Sequence, residues 1–292
     1  MIWQTTRFDI DLATPRVMGI VNATPDSFSD GGRHAGAAGA IAHCERLVAE
    51  GVDILDIGGE STRPGSHAPS DEEELARVLP VVRHAVTLGV PVSVDTSSVA
   101  VMRAALELGA DIVNDVRALQ RPGALELVAG FPRAGGCLMH MQGEPQTMQA
   151  EPVYDDVVAD VARFLAARLS AARQAGIAAA RIVLDPGIGF GKTLEHNLTL
   201  ARRQRELLAL GQPLLLGWSR KGSLGRLTGR PVQERQAASV GAALAAVAQG
   251  AAVVRVHDVA ATVDALKVWR ALTPEEGAGA PTMPARREDP RP

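Results

Sequence analysis

Short apolar runs alternate with longer amphipathic stretches along most of the chain. The apolar runs are mostly continuous and not strictly alternating, which is typical of strands buried on both faces of a parallel sheet. Eight strands are predicted in this way, at residues 16–21, 53–57, 91–94, 111–114, 136–140, 181–184, 213–218 and 252–256.

Helices are predicted between these strands because apolar residues recur there at helical spacing. Ser70 and the three acidic residues after it are typical of a helix start. Several glycines stand where a left-handed residue would end a helix before the next strand. The predicted helices lie at 35–50, 71–88, 99–108, 123–130, 153–174, 194–210, 234–249 and 259–272, and the glycines are Gly51, Gly89, Gly109, Gly176, Gly211 and Gly250.

Eight strand–helix units in succession favour an α/β fold with a parallel sheet. Eight is also the number that closes a (β/α)8 TIM barrel, for which about 250 residues is a typical length. A doubly wound open sheet is the alternative. We expect one domain over residues 1–272 and a disordered tail over 273–292, where Pro, Gly and charged residues prevail.

Composition narrows the class of protein. Aromatic residues make up only 3% of the chain, so the core must be built from Ala, Val, Leu and Ile. A net charge of −3 argues against a nucleic-acid partner. Cys44 and Cys137 form no C-x-x-C pair, which fits a reducing compartment. Neither a signal peptide nor an apolar run of membrane-spanning length is visible, so we expect a cytoplasmic protein without a membrane partner.

Nearly every predicted strand runs into a polar residue or a glycine turn. In a barrel these ends would meet at the C-terminal rim, where such folds carry their active sites. A carboxylate in this position can also be a helix cap or a turn cap, which is the alternative interpretation of Asp95 and Asp115. Arg and Lys, in contrast, are poor caps. The polar ends are Asn22, the segment 58–63, Asp95, Asn114, Asp115, His140, Asp185, Ser219, Arg220, Lys221, Arg255 and His257.

The residue types at this rim indicate a phosphorylated heterocycle as substrate. A carboxylate can accept two parallel hydrogen bonds from a 2-amino-pyrimidinone edge, and Asp95, Asn114 and Asp185 are suited to such an edge. Arg63, Arg255 and His257 supply donors suited to phosphate oxygens. The residues alone leave the reaction unnamed.

Several segments resemble the signature sequences of dihydropteroate synthases. The first is MGIVNATPDSFSDGG at 18–32 and the second is DIGGESTRPG at 56–65. Shorter matches follow in the family's order and spacing, at 93–96, 114–115, 139–142, 185–192, 219–221 and 255–258.

The resemblance implies a transferase of folate biosynthesis. Its reaction would condense 6-hydroxymethyl-7,8-dihydropterin diphosphate with 4-aminobenzoate to give 7,8-dihydropteroate and diphosphate. The resemblance further implies Mg²⁺ as cofactor, sulfonamides as inhibitors and a homodimer.

The resemblance also implies roles for individual residues. The catalytic set would be Asp95, Asp185, Lys221, Arg255 and His257. The pterin would be held by Asp95, Asn114, Asp185, Lys221 and Arg255. The diphosphate would be bound by Asn22, Arg63, Arg255 and His257, with Asn22 also binding Mg²⁺. The aminobenzoate pocket would be formed by Phe28, Thr62, Pro64, Phe190, Ser219 and Lys221.

These roles suit a dissociative reaction. Cationic donors and Mg²⁺ would stabilise the departing diphosphate. The dihydropterin would carry the positive charge left behind, and the neutral arylamine would then attack without a covalent enzyme intermediate. The loops at 23–34 and 61–69, rich in Gly, Pro and Ser, are interpreted as lids over the site.

One position departs from the family pattern. The family usually has serine after the Ser-Arg-Lys run, where the aminobenzoate carboxylate docks, but this chain has Gly222. A backbone N–H at a helix N-terminus would still favour an anion. We therefore expect intact catalysis with weaker aminobenzoate and sulfonamide binding. Compensation by Ser223 through a small loop shift is the alternative.

Other features of the sequence are interpreted as structural. Residues 187–193 resemble a P-loop but lack its first glycine, since that position is Pro186. We expect Lys192 to be a solvated charge, His140 to support the barrel top, and Cys137 to pack as a small apolar residue. Surface or helix positions are expected for His34, His43, His67, His84 and His196.

Two other functions stay open at this point. A methyltetrahydrofolate methyltransferase would share the pterin-binding residues without needing a diphosphate site. A non-catalytic pterin-binding paralogue would keep the barrel without turnover. Arg63 together with the pair Arg255 and His257 favours the synthase over the first alternative. It is favoured over the second by the loop residues Asn22, Phe28, Thr62 and Arg63.

Overall fold

A computed structural model of the protein describes residues 1–24, 32–60, 69–144 and 147–273, apart from the side chains of 32–35. Eight parallel strands in it form a closed barrel in the order β10-β3-β4-β5-β6-β7-β8-β9. The predicted (β/α)8 barrel is confirmed, and closure of the sheet rules out the doubly wound alternative. The barrel strands are β3 (Arg16–Asn22), β4 (Ile54–Gly58), β5 (Val92–Asp95), β6 (Ile112–Asp115), β7 (Gly135–Met139), β8 (Ile182–Asp185), β9 (Leu214–Leu216) and β10 (Ala251–Val256).

Helices surround the barrel and pack on its outer face through a large apolar cluster of Val, Leu, Ile and Ala. The described helices are α1 (Gly32–Ala49), α2 (Asp71–Ala85), α3 (Val99–Glu107), α4 (Ala124–Gly130), α5 (Val157–Gln174), α6 (Leu194–Arg202), α7 (Gly222–Thr228), α8 (Gln236–Ala248) and α9 (Val259–Leu272). In the part of the chain so described, no helix is both long enough and apolar enough to cross a bilayer.

The local signals at the helix ends are confirmed. Ser70 accepts a hydrogen bond from the Glu73 backbone, and Glu73 returns one to the Ser70 backbone, which completes a capping box at α2. All six glycines predicted to end a helix have a positive φ, between 70° and 96°. Only glycine adopts this conformation without steric cost, so these residues fix where each helix turns toward the next strand.

Some predicted boundaries were wrong. The helix predicted from residue 153 begins at Val157, because the Asp156 side chain accepts from the Val158 and Ala159 backbone N–H groups and so caps it there. The helix predicted over 194–210 ends at Arg202 and continues as a 3₁₀ segment, Gln204–Leu210. The short helix α7 was not among the predicted helices, although a helix N-terminus at Gly222 was considered.

An N-terminal hairpin closes the end of the barrel opposite the rim. It consists of two antiparallel strands that were not predicted, β1 (Ile2–Gln4) and β2 (Asp9–Asp11). Trp3 is fully buried and donates from Nε1 to the Arg181 carbonyl at 3.0 Å. It packs with residues that point into the barrel, among them Met18, Ile54 and Cys137. The barrel is therefore a filled core, and Cys137 packs in it as a small apolar residue, as expected.

Candidate active site at the carboxyl rim

At the carboxyl rim, Arg255 of β10 is hydrogen-bonded to side chains from strands in the first half of the chain. Its Nε donates to Asp56 Oδ2 at 2.6 Å, and its Nη2 donates to Asp95 Oδ2 at 2.5 Å. Asn114 donates from Nδ2 to the same Asp56 oxygen at 3.1 Å. The residues come from β10, β4, β5 and β6, and barrel closure brings β10 to the same side as the others. Three residues predicted to bind the pterin thus belong to one hydrogen-bonded network.

Asp95 and Asp115, each of which could be a site residue or a cap, have different roles. Helix α3 is capped by the Ser98 hydroxyl, which leaves Asp95 bound to Arg255. Asp115 is a turn cap, because it accepts from the Ser97 hydroxyl and from the backbone N–H groups of Arg117 and Leu119. The first carboxylate therefore faces the site, and the second holds the turn beyond β6.

Asp56 was missed as a site residue. It is fully buried within β4, and its Oδ1 has no hydrogen-bond partner in the described structure. A buried carboxylate oxygen without a donor is costly, which suits a position where a ligand brings one. The signal available in the sequence was a single Asp inside the otherwise apolar run Ile54–Gly58.

Asp185 and Lys221 lie at the same rim, beside the loop after β8. Asp185 Oδ1 accepts from the Gly187 backbone N–H at 2.7 Å. The Lys221 ammonium donates to the Ile188 carbonyl and lies 4.7 Å from the centre of the Phe190 ring. A Cβ added at Gly217 would lie 3.8 Å from both Lys221 Nζ and Arg255 Cβ. The two cationic side chains therefore flank the same glycine directly after β9.

Burial dominates the titration of these groups. It raises the pKa of Asp95 to about 7, against the opposing effect of the Arg255 guanidinium. It also raises the pKa of Asp185, which Lys221 opposes, and it lowers the pKa of Lys221 to about 8. For Arg255, burial alone would lower the pKa, but the carboxylates of Asp56 and Asp95 raise it. Arg255 is therefore a fixed cation, while Asp95 and Lys221 titrate near neutral pH.

Ser219 and His257 are neighbours at the ends of β9 and β10. The Ser219 hydroxyl accepts from the His257 backbone N–H at 3.1 Å and lies 3.0 Å from its Nδ1. Arg220, between Ser219 and Lys221, has φ +57° and pairs with Asp258 at 2.5 Å. Arginine is a poor helix cap, and this ion pair accounts for the presence of Arg220 at the rim.

Asn22 ends β3, where it is half-buried and pairs in register with Gly58. Its amide oxygen is a hard donor of the kind that Mg²⁺ prefers, and Mg²⁺ is commonly held by one or two protein oxygens together with substrate phosphates. No group of three or more His, Cys, Asp or Glu side chains suited to a metal occurs in the described residues. A single protein oxygen at this position fits a magnesium ion that takes most of its ligands from substrate and water.

Four predicted site residues lie outside the described residues, namely Phe28, Thr62, Arg63 and Pro64. Most of the two loops interpreted as lids lies outside them as well. The remaining predicted residues, from Asn22 to His257, all lie at the ends of the barrel strands or in the loops directly after them.

Two expectations about neighbouring residues had different outcomes. The prediction of a solvated Lys192 was wrong, because the residue is 3% exposed and its ammonium lies 2.9 Å from His140 Nδ1. Loop carbonyls around the ammonium replace the water that a surface lysine would bind. His140 supports the barrel top, as expected.

The other histidines were expected at surface or helix positions. His43, His84 and His196 lie in helices, whereas His34 and His67 are not among the described side chains.

Gly222 is the first residue of α7, and Lys221 before it makes no side-chain cap. A Cβ added at Gly222 would meet no atom within 4 Å. The Ser223 hydroxyl accepts from Asn197 Nδ2 at 3.3 Å. That contact leaves the Ser223 O–H available as a donor, so compensation by Ser223 stays a prediction.

Comparison with known proteins agrees with this geometry. The family model described as pterin binding enzyme matches residues 18–257. The dihydropteroate synthase of Neisseria meningitidis serogroup C is 57% identical over 275 residues, which is 93% of this chain and 97% of that protein. The chain belongs to the dihydropteroate synthase family of pterin binding enzymes.

Solved structures of this family are closely similar. Xanthomonas albilineans dihydropteroate synthase with 4-aminobenzoic acid is 53% identical, with a TM-score of 0.86 over 91% of this chain and 96% of that one. The same enzyme in complex with 7,8-dihydropteroate is 50% identical, with a TM-score of 0.85 over 94% of this chain and all of that one. Yersinia pestis dihydropteroate synthase with a sulfonamide drug complex is 47% identical, with a TM-score of 0.88 over 93% and 98%.

Proposed function

We propose that this member of the dihydropteroate synthase family condenses 6-hydroxymethyl-7,8-dihydropterin diphosphate with 4-aminobenzoate, giving 7,8-dihydropteroate and diphosphate. The observation that carries the proposal is the network in which Arg255 joins Asp56, Asp95 and Asn114 at the rim. The relatives solved with 4-aminobenzoic acid and with 7,8-dihydropteroate supply the chemical identity of the ligands.

The pterin would lie on the floor formed by this network. Asp185 has one oxygen bound to the Gly187 N–H, which leaves its second oxygen for the amino-pyrimidinone edge. Asn114 and Asp95 would meet other polar atoms of the same ring system. The planar guanidinium of Arg255 would stack on the pterin face, with Lys221 as a further donor.

The diphosphate would lie on the side of the site formed by Asn22, His257, Arg255 and Arg63. Asn22 would hold a magnesium ion together with phosphate oxygens. The ion would supply charge stabilisation for the leaving diphosphate. His257 is oriented by Ser219, so its ring is held in one place before substrate arrives.

The aminobenzoate would enter beside Phe190, Ser219 and Lys221, with Phe28, Thr62 and Pro64 completing the pocket. The aryl ring would pack on Phe190, and the carboxylate would point to the N-terminus of α7. Sulfonamides would compete for this pocket, in keeping with the Yersinia pestis complex.

The reaction would proceed by dissociation followed by attack. The bond between the exocyclic carbon and the diphosphate oxygen breaks, and its electron pair leaves with diphosphate. The carboxylates of Asp95 and Asp185 stabilise the positive charge that spreads over the dihydropterin. The arylamine, held in line, forms the new C–N bond and then loses a proton to water. No bond to the protein forms, so a substrate–protein adduct at Asp95 or Asp185 in a single turnover would contradict this step.

Product analysis tests the assignment. The protein is incubated with dihydropterin diphosphate, 4-aminobenzoate and Mg²⁺, and the product is identified by mass spectrometry. The proposal expects 7,8-dihydropteroate. Methyl transfer from a methylated tetrahydrofolate without this product would favour the methyltransferase, and pterin binding without any product would favour a non-catalytic paralogue.

A cytoplasmic location and a homodimer complete the proposal. The homodimer is implied by the family resemblance, and the free cysteines Cys44 and Cys137 fit a reducing compartment. Light scattering on the purified protein, with a mass twice the 30.6 kDa of the chain expected, tests the dimer.

A further inference from the structure

Lys192 places an amino group where the fold leaves no water for it, and this burial lowers the pKa of Lys192 to about 7. The side chain is 3% exposed. Its Nζ donates to the carbonyls of Gly187 and Phe190 at 3.0 Å each and lies 2.9 Å from His140 Nδ1. The His140 carbonyl is a longer contact at 3.4 Å. An ammonium has three N–H donors, and these acceptors occupy all of them.

Two of the carbonyls that accept from Lys192 Nζ belong to one loop, which packs around the ammonium. The β8–α6 loop, residues 186–191, has glycines with φ of 69°, 80° and 58° at Gly187, Gly189 and Gly191. A Cβ on Gly187 would clash with the His140 carbonyl oxygen, and one on Gly191 would clash with the Gln142 carbonyl oxygen. The loop is thus pressed against the chain leaving β7. Carbonyl dipoles that converge on one buried point repel each other unless a cation lies between them.

His140 is a neutral partner in this arrangement. Burial, followed by the charge on Lys192, lowers the pKa of His140 to about 3. Because lysine only donates, the Nδ1 of His140 must be the acceptor. Phe164 packs edge-on against the His140 ring, with centroids 4.9 Å apart, and fixes its orientation.

The same loop contacts Lys221 on its other side. The Ile188 carbonyl accepts from the Lys221 ammonium, and the Phe190 ring lies 4.7 Å from it. A Cβ on Gly189 would lie 3.1 Å from Lys221 Cδ, so the loop backbone packs on the lysine stem. The loop therefore forms a wall of the site that touches a residue assigned to both substrates.

We propose that Lys192 is a positioning residue for the reaction: it gathers the β8–α6 loop so that the Ile188 carbonyl and the Phe190 ring hold Lys221 in place for the two substrates. This inference rests on the proposed function and extends it to a residue that touches neither substrate. Its effect should therefore pass through Phe190 and Lys221 and not through the stability of the fold.

The first test compares Lys192→Met with Lys267→Met. Both substitutions remove one positive charge, but Lys267 is an exposed lysine of α9, with 70% of its side chain in solvent. Steady-state kinetics should show the KM for 4-aminobenzoate raised by about tenfold or more in Lys192→Met, equivalent to about 1.4 kcal/mol, and unchanged in Lys267→Met. An unchanged KM in Lys192→Met would overturn the inference.

A double-mutant cycle separates positioning from a general loss of structure. In a Phe190→Ala background, the effect of Lys192→Met on the KM for 4-aminobenzoate should shrink to about threefold or less, because one of the two loop groups that contact Lys221 is gone. A merely structural role would give the same factor in both backgrounds, which would contradict the inference.

His140 provides a second route if Lys192→Met does not fold. His140→Leu removes an acceptor of the ammonium, whereas His140→Gln keeps one. The first should raise the KM for 4-aminobenzoate by about threefold or more, and the second should stay closer to wild type. Equal effects of the two would overturn the inference.

Wild-type turnover distinguishes failure of this inference from failure of the proposed function. A wild-type protein that forms no dihydropteroate overturns the proposed function and this extension together. An active wild type with insensitive variants overturns only the extension.

Discussion

Arg255 and Asp95 are joined by a hydrogen bond of 2.5 Å between Nη2 and Oδ2, across 160 residues of sequence. The pair is placed at the carboxyl rim by β10 and β5, and both residues are largely buried. Asp56 accepts the Nε of the same guanidinium, so Arg255 is held flat between two carboxylates. This orientation is what a residue stacking on a planar ring would need before the ring binds.

Asp56 should be as important as the residues that were predicted. Asp56→Asn keeps the size of the side chain but removes the charge that orients Arg255. We expect the kcat/KM for dihydropterin diphosphate to fall by about a hundredfold, equivalent to about 2.7 kcal/mol of transition-state stabilisation. Asp53→Asn, just before the same strand at the other end of the barrel, is the control and should retain activity.

The pH dependence of activity should be bell-shaped. The active form needs Asp95 ionised, and its pKa of about 7 means that this form is lost as the pH falls below 7. It also needs Lys221 protonated, and its pKa of about 8 means that this form is lost as the pH rises above 8. The kcat/KM for dihydropterin diphosphate, which reports the free enzyme, should peak between these values. An acid limb that persists in the residual activity of Asp95→Asn would contradict the assignment.

Gly222→Ser should strengthen aminobenzoate binding. The structure has open space for the added side chain at the first residue of α7. A new hydrogen bond to a carboxylate contributes about 1.5–3 kcal/mol, which sets an upper limit of about ten- to a hundredfold on the gain in affinity. Titration calorimetry with 4-aminobenzoate and a sulfonamide measures it, with Gly130→Ser at the far end of the barrel as the control. Unchanged affinities for both ligands would show that Gly222 is not part of the pocket.

Trp3→Ala should destabilise the protein without changing substrate affinity. Trp3 is fully buried in the hairpin below the barrel, and truncating a buried aromatic residue costs about 3–5 kcal/mol. Denaturant titration should show this loss, while the KM of each substrate stays within about twofold because the rim is at the opposite end. Ile2→Ala, at a side chain that is 44% exposed, should leave the free energy of unfolding nearly unchanged.

The barrel could be predicted because its strands are apolar on both faces and each is followed by a helix with clear end signals. The hairpin of β1 and β2 could not, because its strands have three residues each and only one buried position apiece. Helix α7 was missed for a related reason, since seven residues with two glycines carry no helical period.

The rim could be predicted as a set of strand ends but not as a network. Asp95 and Asn114 stood out because they end their strands, whereas Asp56 lies inside one and so resembled an isolated core carboxylate. Lys192 was interpreted as a surface charge because nothing local to it shows that acceptors from His140, directly after β7, and from the β8–α6 loop converge there. Such convergence depends on tertiary contacts between residues 52 positions apart, here His140 and Lys192.

The most direct test of the central claim is diphosphate release measured with dihydropterin diphosphate and Mg²⁺, with and without 4-aminobenzoate. The account predicts catalytic release that depends on 4-aminobenzoate, is inhibited by a sulfonamide, and is lost in Arg255→Ala. No release in the presence of both substrates, or release that is unchanged by Arg255→Ala, would contradict it.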